Sequence, residues 1–169
     1  MEYSVGMKVF GDWEIVKGLG EGSFGTVYLL RKESGGVVME SALKVIRIPH
    51  SRSDIREALA EGMDERSVTS YFQGIVDSLV NEIAVMTSLK SHPNIVSCED
   101  YQVKEHAGET GWDILIRMEL LTALTDYQLS HPMDRGQVLR MGKELAGALE
   151  FCRKKGLIHR DVKPANIFV

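Results

Sequence analysis

The chain has 169 residues, 44% hydrophobic and 26% charged, with 16 glycines and 4 prolines; this is the make-up of an ordinary globular chain and excludes collagen-like, low-complexity and disulfide-scaffold readings. Twenty Lys plus Arg against 24 Asp plus Glu leave a formal charge of −4 with no long run of either sign, so no nucleic-acid footprint and no polybasic membrane patch is expected. Cys98 and Cys152 sit among apolar neighbours, no apolar stretch approaches the roughly 18 residues of a membrane span, and Glu2, Lys8 and Asp12 interrupt any secretory core near the start. A reduced, cytoplasmic chain without a membrane segment is the expectation.

Residues 13–48 carry short β-branched and apolar runs (26–30, 37–38, 42–48) separated by glycine turns such as Gly35-Gly36, a pattern that predicts three antiparallel strands. Residues 49–66 are polar around Ile55, Leu59 and Met63; Ser51 and Asp54 have capping-box spacing and Gly62 is a stop, which predicts a short surface helix. Val68, Phe72, Ile75, Val76, Leu79, Ile83 and Met86 then recur at spacings of three and four, so residues 64–90 form one amphipathic helix. His92-Pro93-Asn94 ends it, since proline disfavours helix in the residue before it. Residues 95–103 and 112–120 read as two more strands joined by a turn at Ala107-Gly108. Beyond Leu121 the helical period takes over: Asp134 caps a helix with Gln137 three residues on, Val138, Met141, Leu145, Leu149 and Cys152 form its apolar face, and Gly156 closes it.

Gly20-Glu21-Gly22-Ser23-Phe24-Gly25 matches G-x-G-x-x-G. Such glycines allow a backbone to approach phosphate closely, but the motif alone is weak. In a dinucleotide-binding fold the glycines open a helix and an acidic residue, here Glu40, meets the ribose. Here a β-branched strand follows Gly25, which removes that reading. The remaining parts are Val27 two residues past Gly25, a lysine in Ala42-Leu43-Lys44, a glutamate in Asn81-Glu82-Ile83, and His159-Arg160-Asp161-Val162-Lys163-Pro164-Ala165-Asn166. That last run carries every specified position of a phosphotransferase catalytic loop, and the parts occur in the required order.

On these motifs the chain resembles the eukaryotic-like serine/threonine protein kinase catalytic domain, over essentially its whole length. The resemblance implies an α+β fold: a five-stranded antiparallel small-lobe sheet with one long helix (residues 1–121, hinge included), then an incomplete helical large lobe (122–169). It implies ATP and Mg2+ as cofactors and a protein Ser/Thr hydroxyl as acceptor. Gly20, Gly22 and Gly25 would cover the phosphates, and Lys44, paired with Glu82, would orient them. Asp161 would meet the attacking hydroxyl, Lys163 would stand near the γ-phosphate, and Asn166 would hold a metal ion. Val27 and Ala42 would roof the adenine, Phe168 would floor it, Met118 would be the gatekeeper, and residues 119–121 (Glu119 to Leu121) would form the hinge. Met86, Cys98 and His159 would belong to a hydrophobic column joining the lobes.

Two departures qualify the likeness. Lys44 and Glu82 are further apart than is usual in the family, because residues 49–66 precede the long helix; a surface insertion costs little loop entropy. The sequence also ends at Val169, soon after Asn166, before any Asp-Phe-Gly motif, so a chain that binds nucleotide weakly, is inactive alone and self-associates through its uncovered large-lobe helix is expected. A non-catalytic nucleotide- or partner-binding module stays open. A small-molecule phosphotransferase fits less well, since such enzymes usually depart from the full catalytic-loop spelling.

Overall fold

The computed structural model describes residues 3–22 and 25–169. Ten regular elements follow one another: β1 (Lys8–Val9), β2 (Trp13–Gly22), β3 (Gly25–Ser34), β4 (Val37–Ile48), α1 (Arg52–Ala60), α2 (Glu65–Leu89), β5 (Cys98–Glu105), β6 (Trp112–Met118), α3 (Leu124–Ser130) and α4 (Arg135–Lys154). A single 3-10 turn, Pro164–Asn166, lies near the end.

The strands form one sheet in the order β1-β2-β3-β4-β6-β5, with every neighbouring pair antiparallel. The sheet has six strands where five are expected. The extra one, β1, is too short to show a period; it pairs Val9 with Trp13 across a tight turn at Phe10 and Gly11, both at positive φ. The helix α3 is also absent from the sequence reading, because its first-turn cap is Ala123, whose side chain has no oxygen to offer.

Strand alternation sends side chains to both faces of the sheet, and each face builds its own core. On one face Ile46, Ile48, Ile114, Ile116 and Trp112 pack against Val68, Phe72, Val76 and Ile83 of α2. The period of three and four makes α2 bury that one stripe, and Asp64 starts it by accepting a hydrogen bond from the Ser67 N–H at 2.8 Å. Ala58 of α1, with Ile55 and Met63 beside it, joins the same core. The insertion is thus a packed part of the small lobe, started by the expected Ser51/Asp54 capping box.

On the other face Tyr3 and Val9, near the N-terminus, pack with Trp13, Ile15, Leu30, Leu43, Val45 and Leu115 of the longer strands. This packing is fastened by charge as well. The Tyr3 hydroxyl donates to the buried Asp113 carboxylate at 3.1 Å, and the Arg117 guanidinium, paired with Glu99, stacks over the Trp13 ring at 4.6 Å. Beyond Met118 the chain turns into the helical part. There α4 starts with the expected Asp134/Gln137 capping box, but its apolar face is not a core. Only Ala148 is buried, while Leu139 is 60% exposed and Val138 and Leu149 are exposed too.

Candidate nucleotide and catalytic site

The glycine hairpin joins β2 to β3, and Gly22 pairs with Gly25 as its last ladder step. Gly25 sits at φ +116, where a Cβ would lie 2.1 Å from the Val45 carbonyl oxygen, so only glycine fits. Gly20 and Gly22 need no special φ; a Cβ there meets nothing within 4 Å, and they leave one side of the hairpin bare. Ser23 and Phe24, the remaining motif positions, lie outside the described residues.

Cross-strand register relates the residues predicted to roof the base. Val27 faces Gly20 on one side and Lys44 on the other; Ala42 faces Leu29 and Met118. Partners in register share a face, and so do residues two apart on a strand. Gly20, Val27, Ala42, Lys44 and Met118 therefore stand on the face that also receives α2. Burial holds the Lys44 ammonium below the ordinary lysine value of 10.5, and the negative charge of Glu82 on α2 acts the other way. Glu82 lies on the exposed flank of the buried Ile83, and its charge acts on Lys44.

Residues 119–121 run between the lobes and are held at both ends. Upstream, the Glu119 N–H donates to the Ser97 carbonyl at 3.3 Å, and the Glu119 Oε1 accepts from the Ser97 N–H at 2.7 Å. Downstream, Thr122 and Val169 exchange hydrogen bonds at 2.9 and 2.8 Å, and the Leu124 N–H donates to the Ile167 carbonyl. This small bridge pairs Ala123 with Phe168 and so brings Phe168 close to residues 119–121. Among the described residues the Glu119 carbonyl and the Leu121 N–H make no hydrogen bond.

Residues 159–166 form a cluster of short polar contacts. Asp161 lies 2.9 Å from the Lys163 ammonium; the Asn166 Nδ2 donates to its carboxylate at 2.8 Å and to its carbonyl at 2.9 Å. Pro164 opens the 3-10 turn that brings Asn166 back toward Asp161, its fixed φ suiting the first turn position. Arg160 takes a positive φ of 63, which re-aims the chain at Asp161. The hydrogen bond to Lys163, and after it the one to Asn166, holds the Asp161 carboxyl below the ordinary aspartate range. His159 does not join Met86 and Cys98 in a column: Cys98 is buried and Met86 packs against that core, whereas His159 is exposed and its Nδ1 accepts from the Asp161 N–H at 3.3 Å.

A cavity of about 650 Å3 lies beside the hinge. Glu119, Leu121, Asn166 and Phe168 line it, together with residues 93–96 and α4, while Val27, Ala42, Lys44 and Met118 do not. The structure therefore forms two groups of the expected residues, one on the sheet and one around the catalytic loop, with the hinge between them. Ser97 was missed by sequence reasoning; nothing local marks a serine as the partner of a glutamate across the sheet end.

Residues 13–169 match the protein kinase domain family. The chain is 30% identical over 158 residues to Aurora kinase B of Mus musculus, spanning 94% of this chain and 39% of that protein. It is 29% identical over 164 residues to CBL-interacting protein kinase 20 of Oryza sativa subsp. japonica, spanning 97% and 31%. The solved Mycobacterium tuberculosis PknI kinase domain superposes with a TM-score of 0.57 at 25% identity, covering 100% of this chain and 59% of that one. The chain thus spans well under half the length of these curated relatives. With the glycine motif, strand lysine, long helix and the loop 159–166 following one another along the matched residues, the chain belongs to the protein kinase domain family.

Proposed function

We propose that these residues are the small lobe and catalytic loop of an ATP-dependent Ser/Thr protein kinase, whose whole protein phosphorylates Ser or Thr hydroxyls of other proteins. The observation that carries the reading is the Asp161 carboxylate held between Lys163 and Asn166. Both contacts favour its ionised form, so it is a hydrogen-bond acceptor for an incoming hydroxyl and only a weak base. Phosphoryl transfer through a loose transition state asks mainly for positioning and charge neutralisation, which suits such a group. Lys163, beside it, suits a Ser/Thr acceptor by the family likeness.

Adenine nucleotide fits the residues present. Gly20 and Gly22 leave one side of the hairpin open, with nothing within 4 Å of a Cβ there, and the Glu119 carbonyl and Leu121 N–H make no hydrogen bond among the described residues. Bound ATP would supply the transferred phosphoryl group; Lys44 would attract its phosphates and Phe168 would close the base from below. Magnesium does not fit these residues by themselves. Among the described residues no three His, Cys, Asp or Glu side chains cluster to hold a metal, and the Asn166 amide offers one oxygen where this ion takes about six ligands. Residues 1–169 alone are accordingly expected to bind nucleotide without transferring phosphate.

The free thiols of Cys98 and Cys152 support a reducing, cytoplasmic setting. Among the described residues no helix is long and apolar enough to cross a membrane. A thermal-shift series tests the function: a ligand that binds only the folded chain raises the melting temperature with its concentration. ATP, ADP and adenosine should each do so. Absence of any shift at millimolar nucleotide contradicts the proposal, and phosphate transfer to a basic protein that is lost in Asp161→Asn would overturn the inactivity of residues 1–169.

A further inference from the structure

We infer that Glu119 is a positioning residue whose side chain latches the hinge to the loop following α2, presetting the backbone groups that meet the base. The inference rests on the nucleotide-binding reading above. The β5–β6 ladder reaches its last pair at Cys98 and Met118, next to a register shift between Cys98 and Asp100. One step further, Glu119 and Ser97 form two hydrogen bonds with each other. The second of these uses the Glu119 carboxylate where a regular ladder would use a carbonyl. Carboxylate to N–H is a charge-assisted bond, stronger than the neutral bond it replaces.

The consequence follows from what each partner is attached to. Ser97 ends a loop that begins at the C-terminus of α2, where the His92 N–H donates to the Leu89 carbonyl. That loop touches α4 through the His92 and Phe151 rings, 5.0 Å apart. Glu119 begins a span that Thr122 closes by pairing with Val169. Only Leu120 and Leu121 lie between the two anchors. A span so short, fixed at both ends, holds the Glu119 carbonyl and Leu121 N–H in one geometry before nucleotide arrives, which lowers the ordering cost of binding. It also joins α2, which carries Glu82, to the hinge by a side-chain contact. The carboxylate is the replaceable part, since the Glu119 N–H bond to Ser97 remains in any variant.

The test compares Glu119→Ala with Glu119→Gln, whose amide oxygen still accepts from Ser97. Adenosine is titrated calorimetrically, and amide hydrogen exchange is followed at Ser97, Glu119 and Thr122, whose N–H groups are all hydrogen-bonded. Glu119→Ala should weaken adenosine by about tenfold, the scale of one charge-assisted bond. It should also speed exchange at all three amides, while Glu119→Gln stays within about threefold of the parent chain. Equal adenosine affinity in the parent chain and Glu119→Ala would overturn the latch, and so would Glu119→Gln failing as fully as Glu119→Ala. If the parent chain does not bind adenosine, the nucleotide reading itself has failed and the exchange data decide the latch. Faster exchange confined to Ser97 overturns it; faster exchange spreading to Glu119 and Thr122 supports it.

Discussion

Lys44 concentrates a conflict between folding and function in one side chain. It stands on a core-facing strand position, where the proposed site would meet the nucleotide's phosphates, and burial disfavours its charge despite Glu82. Its folded pKa lies below the unfolded value, so its contribution to stability is full only above the unfolded pKa and is lost as pH falls through the folded one. Lys44→Met should therefore leave the nucleotide-free chain at least as stable at neutral pH and flatten the alkaline rise in melting temperature. Melts of both chains across the alkaline range check this; a lower neutral melting temperature in Lys44→Met contradicts it. Gly25 is the opposite case, a residue with no latitude. Gly25→Ala puts a methyl against the backbone oxygen of Val45 at a positive φ and should cost roughly 2–4 kcal/mol. Gly20→Ala, with open space around it, should stay within about 0.5 kcal/mol. Denaturant unfolding separates the two. At this scale the sequence was most legible where chemistry is spelled by adjacency: Asp161, Lys163 and Asn166 occupy one short loop and do meet. His159 was misjudged because its fate depends on which neighbours cover it, and Ser97 was invisible because its partner lies across the sheet end.

Elements were legible in proportion to their length. A period of three and four sustained over α2 defines a helix whose ends differ from expectation by a single residue, because Asp64 caps it and the approach to Pro93 stops it. The short β1 and α3 carry too few residues for any period, and both owe their place to tertiary pairing, β1 to β2 and α3 to the bridge at Ala123. The caps give a direct test. Asp134→Ala removes the acceptor of the Gln137 N–H at 2.8 Å and should destabilise α4 by about 1 kcal/mol. The same change at Asp64 should destabilise α2 by a similar amount, about 1 kcal/mol, visible as faster amide exchange in its first turn. An unchanged first-turn exchange rate would show that packing on the sheet alone sets where α2 begins.

At the scale of the whole molecule the two cores differ in kind. The sheet is covered on both faces, by α1 and α2 on one and by the N-terminal segment on the other, whereas α4 leaves Val138, Leu139 and Leu149 open. Exposed apolar stripes promote association, so residues 1–169 should self-associate with rising concentration, and Leu139→Lys with Leu149→Lys should restore a monomer in sedimentation velocity. A monomer at every concentration in the parent chain removes that proposal. The α+β architecture was legible from the switch of period near Leu121, and the open face of α4 was expected from the family likeness; the stripe by itself reads the same whether covered or bare. The central claim, that sheet, hinge and catalytic loop form one nucleotide site, is tested most directly by calorimetric titration of ATP and adenosine into the parent chain and into Lys44→Met. Both ligands should bind the parent chain with one-to-one stoichiometry, and Lys44→Met should keep adenosine while losing ATP affinity by about tenfold or more. Heat from neither ligand at millimolar concentration, or ATP affinity unchanged by Lys44→Met, would contradict the account.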